Sequence, residues 1–393
     1  MNKSSFFNDQ LNKLFIVEEA NEYLGTDKII NKSKPIVSVS VATYQHENYI
    51  RQCLDGILKQ KTAFEYEVII GEDESDDNTR FICLEYANKY PDKIRLFLRN
   101  RKTSQCFLNN EFLGRFNGIW NRMSSRGKYI AMCEGDDYWT DPLKLQKQVD
   151  FLEKNKEYGM VHTNFDTYYQ NKNYFLENTH SVFNIDLKDD CTLDYWNFFG
   201  KEMATIKTLT VCFRNDLLKK WQSTSPKNNW LIGDFPMYFY ISLQSKVGYI
   251  NESTSVYRSV PQGSASNVGK DNIKKLKIRK TYVDIRLYFL NHFKLNKNDY
   301  LDALLRDLQI LLDYCIINND EITLKNYIKI INNLGFDESI LTKLFLKLNN
   351  STIKNLICKL TKLKLWASIF FYKLKNTSFL IKSIERHLNF RNV

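Results

Sequence analysis

An α/β fold with a mainly parallel sheet flanked by helices is predicted for residues 36–269, followed by an all-α extension. Three observations predict it. Short β-rich runs alternate with helical patterns along the first part, which is the signature of βαβ crossovers. Two of those runs end in clustered acids. Beyond residue 269 the pattern changes to long helical periods separated by Asp, Asn and Gly. With 393 residues, 43% hydrophobic and 26% charged, the chain can bury a sizeable core and fill more than one domain.

Residues 1–35 are expected to form an N-terminal helical extension. Their opening, MNKSSFFNDQLNKLF, lacks the apolar stretch of a secretory signal, and no run reaches the roughly 18 apolar residues of a membrane span. The strands expected next are IVSVSVA (36–42), which alternates at period 2, EYEVIIGED (65–73), KIRLFLRN (93–100), KYIAMCEG (128–135) and YGMVHTNFD (158–166). Helical patterns lie between them: 47–60, 78–90, FLNNEFLGRFNGIWNRM (107–123), and 142–155, which opens on Pro142 at a first-turn position. Four further helices are expected at 271–293, 296–317, 321–335 and 337–350, forming a bundle over 270–350.

Cys53, Cys83, Cys106, Cys133, Cys191, Cys212, Cys315 and Cys358 include no CxxC pair, and several fall inside apolar periods. They read as reduced core thiols of a cytoplasmic protein rather than a disulfide framework or zinc site. Charge is unevenly placed. Residues 1–269 hold 33 Lys and Arg against 34 Asp and Glu, and residues 270–393 hold 23 against 11. The net +11 therefore belongs to the C-terminal third, a basic appendage suited to an anionic partner.

The acids lie where a parallel sheet places its ligands, outside the carboxyl ends of the strands. GEDESDD (71–77) closes one strand and CEGDDYW (133–139) another. Like charges this close raise each other's pKa unless a cation lies between them, and hard oxygen ligands suit Mg²⁺ or Mn²⁺. With neither a Walker loop nor GxGxxG present, a metal and basic side chains would have to hold any phosphates. An isolated acidic triplet also reads as a solvated, helix-capping turn; two acidic strand ends in one sheet favour the metal.

The series VSVSVATYQHENYIRQCLDGILKQ, EVIIGEDESDDNT and GKYIAMCEGDDYWTDPLKLQKQVDFL resembles glycosyltransferase family 2, whose GT-A fold is Rossmann-like. A weaker likeness to the family's acceptor-side half continues over 228–266. The resemblance implies a nucleotide-sugar half (36–140) and an acceptor half (141–269). It places Thr43, Tyr44 and Glu47 at the nucleotide, with the Tyr44 ring stacking on the base. Asp73 would accept from uracil N3, which favours a UDP-sugar. Asp136 would hold the ribose and, with Asp137, the metal; Glu134 stands where Asp is commoner. Gln45 and Glu74 replace the usual Asn and Gly with little expected consequence. Arg258 would neutralise the diphosphate, and Asp234 would be the general base. Taken alone, Asp234 reads rather as an N-cap before Pro236 and the apolar MYFYISL run, and its place in the family order is what makes it the base.

His46 and His162 lack metal-ligand spacing and read as turn or packing residues. Trp139 reads equally as a wall of the sugar pocket or as the anchor of the acidic loop. No Q-x-x-R-W motif of the processive synthases is present, which points to one sugar per encounter. In the tail (351–393), nine basic residues face one acidic residue, and Ile353, Leu356, Ile357, Leu360 and Leu363 form a stripe away from Lys354, Lys359 and Lys362. That pattern fits either an anionic membrane surface at the inner leaflet or the outside of the bundle.

The function expected is a metal-dependent, inverting transferase moving one hexosyl or N-acetylhexosaminyl unit from a UDP-sugar to a bacterial cell-surface polysaccharide or lipid-linked acceptor. The alternatives are a nucleotidyltransferase of similar fold and a non-catalytic UDP-sugar binder. Nucleic acid is not an expected partner, because no aromatic-interleaved basic groove is present.

Overall fold

The computed structural model describes residues 21–25, 34–101, 105–108, 111–115, 117–182, 206–225, 230–259, 271–293, 295–333 and 357–365. A ten-stranded sheet organises the first two thirds of the chain. Four expected strands appear as β2 (Val37–Thr43), β3 (Tyr66–Glu72), β4 (Ile94–Leu98) and β7 (Tyr129–Met132), all parallel, in the order β4-β3-β2-β7. Both faces of β2 and β3 are buried, Val37, Val39 and Val41 of β2 on one face and Ser38 and Ser40 on the other, with Val68 and Ile70 opposite Ile69 in β3, as a sheet covered on each side requires. The covering helices include α1 (Ile50–Leu58), α2 (Thr79–Lys89), α3 (Asn117–Met123) and α4 (Lys144–Lys154).

Beyond β7 the pairing is mixed. β11 (Cys212–Arg214) runs antiparallel to β7 and to β9 (Tyr158–Tyr169), and β9 pairs in parallel with β12 (Lys246–Ser259). β12 carries β8 (Tyr138–Trp139) on its far side, and β10 (Tyr174–Leu176) folds back onto β9.

The structure corrects several expectations. The described part of the N-terminal stretch is a strand, β1 (Glu22–Tyr23), antiparallel to β4; the other residues of the expected helical extension, apart from 21, 24, 25, 34 and 35, lie outside the described residues. The helix expected over 107–123 begins only at Asn117. Before it stands an antiparallel pair of β5 (Gln105–Leu108) and β6 (Glu111–Arg115).

The stretch expected to be the acceptor half contributes α5 (Thr179–Val182), α6 (Asn215–Thr224) and α7 (Asp234–Gln244). Three long helices follow: α8 (Asn272–His292), α9 (Lys297–Ile317) and α10 (Glu321–Asn333). Asp271 caps α8, its Oδ1 accepting from Ile273 N and Lys274 N. These helices share one apolar core with the acceptor half, in which Phe235 and Phe239 of α7 meet Phe289 of α8 and Leu304 and Leu308 of α9. A second core lies between the parallel strands and α1, α2 and α4.

Residues 357–365 are helical and close the bundle. Ile357 and Thr361 are buried, and Lys364 Nζ pairs with Asp313 at 3.0 Å. The expected stripe therefore divides: Ile357 faces the core, while Leu360 and Leu363 are exposed. Ile353, Lys354 and Leu356, the helix expected at 337–350 and the remainder of the tail lie outside the described residues. Cys53, Cys83, Cys133, Cys212 and Cys315 are free and buried, and Cys358 is free and half-buried. Among the described residues no helix is long and apolar enough to cross a membrane.

Candidate active site

Loops at the carboxyl ends of β2, β3 and β7 converge on one edge of the sheet. After β2, Thr43 is buried with its Oγ1 3.2 Å from His46 Nδ1. This loop is braced to the next one: Gln45 N donates to Ser75 Oγ (2.9 Å), His46 N to Thr79 Oγ1 (2.7 Å) and Glu47 N to Asp77 Oδ2 (3.1 Å). The Glu47 carboxylate accepts from Asn78 N (3.0 Å) and Asn78 Nδ2 (2.9 Å), so the acid expected at the nucleotide fixes the start of α2. His46 is a turn residue, as expected; burial lowers its pKa against the opposing charges of Asp136 and Asp77.

After β3, Asp73 is buried and accepts from Arg101 Nη1 at 3.1 Å. The Arg101 guanidinium also lies 3.4 Å from the centre of the Tyr44 ring. Tyr44 and Asp73, assigned to the same base, are thus brought together by a residue the sequence reading did not include. Glu74 is not neutral either: it accepts from Asn100 Nδ2 (3.1 Å) and Arg101 N (2.8 Å).

After β7, Glu134, Asp136 and Asp137 each bring a carboxylate oxygen within 4.8 Å of the others. The turn presses on β2, where a β-carbon at Gly135 would stand 2.6 Å from Thr43 Oγ1, which explains the glycine. Glu134 reaches solvent inside the cleft, but the crowding walls and then the charges of Asp136 and Asp234 push its pKa up to about 8. Asp137 is buried, and burial followed by the Asp136 charge holds its pKa well above the usual carboxylate range. One of its oxygens accepts Arg258 N at 2.8 Å.

Arg258 differs from expectation. Its Nε donates to Asp136 O (2.8 Å) and its Nη2 to Gln52 Oε1 (2.7 Å), while Tyr49, Tyr138 and Tyr168 surround the guanidinium at 4.9–5.8 Å. Those donors hold the acidic turn. Trp139 resolves as an anchor: it is buried, with Nε1 donating to Leu209 O at 3.0 Å. His162 is a core residue against Tyr249 and His180, kept neutral by burial.

Asp234 is the first residue of α7, half-buried, with Oδ1 accepting its neighbour Phe235 N at 2.8 Å; Gly233 occupies the N-cap. Its charge is felt at both Glu134 and Arg122. Arg122, on α3, is a second residue missed by the sequence reading. Burial lowers its pKa while Tyr238, Asp234 and Glu134 oppose the shift, and its Nε finds no acceptor among the described residues. Lys207 adds a further cation toward Glu134 and Asp137. Arg101 was findable, since it follows β4 and the rule that located Asp73 applies there too. Arg122 and Lys207 carry no comparable signal.

Residues 35–248 match the family model described as "Glycosyltransferase like family 2". The chain belongs to that family. Among relatives, an uncharacterised Mycobacterium tuberculosis protein is 46% identical over 122 residues, 31% of this chain and 32% of that protein. The Escherichia coli UDP-Glc:alpha-D-GlcNAc-diphosphoundecaprenol beta-1,3-glucosyltransferase WfgD is 30% identical over 122 residues, 30% of this chain and 42% of that enzyme. These matches span less than half the length of either relative. Among solved structures, S. aureus TarS in complex with UDP-GlcNAc aligns over 71% of both chains with a TM-score of 0.47 and 17% identity. The three braced loops and the acid group all lie inside the matched residues, as does the start of α7.

Proposed function

We propose that this protein is a metal-dependent, inverting glycosyltransferase that moves one sugar from a UDP-sugar to a bacterial cell-surface polysaccharide or lipid-linked acceptor. The observation that carries the reading is the acid group of Glu134, Asp136 and Asp137, gathered within 4.8 Å at the sheet edge, with Asp234 near enough for its charge to be felt at Glu134. The name of the WfgD relative, with a UDP-sugar donor and a lipid diphosphate acceptor, supports the same substrate classes.

The residues present fit a divalent cation, because mutually repelling hard oxygens with raised pKa values are what such an ion relieves. Asp137 and Asp136 would hold Mn²⁺ or Mg²⁺, which when bound offsets charge on the diphosphate. Tyr44 and Asp73 receive the base, and Thr43 closes its edge. Asp234 takes the proton from the acceptor hydroxyl as it attacks the anomeric carbon. Arg122 and Lys207 meet the negative charge gained by the departing UDP. Arg258 keeps the acidic turn in place. The tail rests the protein on an anionic leaflet through Lys359 and Lys362, with Leu360 and Leu363 dipping into the interface.

A panel of UDP- and GDP-sugars, followed by nucleotide release with and without Mn²⁺, tests this reading. UDP release that needs the metal is expected. Pyrophosphate release, a preference for GDP-sugars or turnover unchanged by chelator would each overturn it.

A further inference from the structure

At the base end of the donor site, two recognition elements are already engaged from within. A uracil ring bound there would stack on Tyr44 and donate its N3–H to Asp73. Arg101 makes both contacts at once, its planar guanidinium 3.4 Å over the ring and its Nη1 3.1 Å from Asp73 Oδ2. A flat group of stacked hydrogen-bond donors resembles a base more closely than any other charged side chain does.

Its placement is built in. Glu74 binds the Arg101 backbone N–H and the neighbouring Asn100 side chain, and it does so from a left-handed conformation at φ 57°. A β-carbon makes that conformation unfavourable, so the loop carries strain that a glycine would avoid. Glycine at position 74 would relieve it but could not grip Arg101.

We propose that Arg101 is an internal stand-in for the nucleobase: it occupies the Tyr44 face and Asp73 in the donor-free protein, leaves when the base enters, and returns as UDP departs. This inference rests on the base-site reading of Tyr44 and Asp73. Its consequence is a weakened hold on product. The binding-competent state is only a fraction of the population, so apparent UDP affinity falls by that fraction. A side chain that retakes the site speeds release, the step that limits many transferring enzymes.

Calorimetry and stopped-flow displacement of UDP in the presence of Mn²⁺ test the idea on the full chain. Arg101→Ala and the milder Arg101→Gln should each bind UDP about tenfold more tightly, mostly through a slower off-rate. Glu74→Gly should shift affinity the same way by less. Asp73→Ala added to Arg101→Ala should then weaken UDP, which isolates the base contact from Arg101. If that double variant binds UDP as well as Arg101→Ala alone, the base-site reading fails and the stand-in with it. If Asp73 matters but both Arg101 variants bind UDP equally or more weakly than wild type, Arg101 is part of the stacking platform and only the stand-in is overturned.

Discussion

Around Thr43 and Asp73, backbone N–H groups of one loop are caught by side chains of the next, whereas around Asp234 the chain is fixed by rings. Ser75, Thr79 and Asp77 brace the first region. In the second, Phe235 and Phe239 lie 5.8 Å apart, Phe239 and Phe289 4.8 Å, and Trp221 stacks on Phe289 at 5.9 Å. Polar braces set positions locally and directionally. Apolar packing sets them globally, through volume that helices from beyond the family match supply. The donor side should therefore respond to substitution at its own loops, and the acceptor side to substitution far along the chain.

The largest effect tests the donor side. Asp137→Asn keeps the shape and removes the charge, so turnover should fall on the order of 10³-fold and UDP affinity in Mn²⁺ should weaken. Near-normal turnover would remove the acid group from the mechanism. For the acceptor side, Phe289→Ala should cost roughly 3–5 kcal/mol and lower a single unfolding transition in urea. Two separate transitions would show that the C-terminal helices fold by themselves. Asp234→Asn should lose on the order of 10²-fold in turnover with donor binding little changed; equal loss of UDP affinity would make it a donor-site residue.

Lys144 lies at the seam between the halves. It is fully buried, donating to Gln148 Oε1 (3.0 Å) and Thr210 O (3.2 Å), and burial lowers its pKa to about 7. The unfolded chain keeps that proton up to the ordinary lysine value of 10.5. Between these values the unfolded state binds more protons, so stability rises with pH, by about 1–2 kcal/mol from pH 7 to 9. Lys144→Met should flatten that slope in urea titrations, and an unchanged slope would assign it to another group. The smallest effect concerns the bundle surface. Leu360→Glu with Leu363→Glu should leave the melting temperature unchanged and reduce binding to phosphatidylglycerol vesicles severalfold. Undiminished binding would exclude this face as the lipid contact.

Most of the donor half was legible in the sequence because its strands are short, buried and closed by acids, and its site residues are neighbours along the chain. β3, β4 and β7 lie within the segments expected for them, and β2 overruns its segment by one residue, Thr43. The hairpin at 105–115 was misread because its apolar pairs, Phe107 with Leu108 and Phe112 with Leu113, show no strand alternation, and no Gly or Pro stands between them to mark a turn. The role of Arg258 was not legible, since its three rings and Gln52 come from three separate segments of the chain. For the same reason Arg122 escaped notice: nothing adjacent to it in the chain explains why a guanidinium is buried opposite Asp234.

The clasp of Arg258 on the acidic turn bears on when the protein becomes active during its own synthesis. The backbone N–H that seats Asp137 belongs to a residue 121 positions downstream, on a strand that must first pair with both β8 and β9. A nascent chain that ends before Arg258 already carries all three acids yet lacks the group that orients them. Domains form progressively from the amino end as the ribosome works, and distant pairings are the slow ones. The acidic turn would then take its final form late and at once, when Arg258 comes into place.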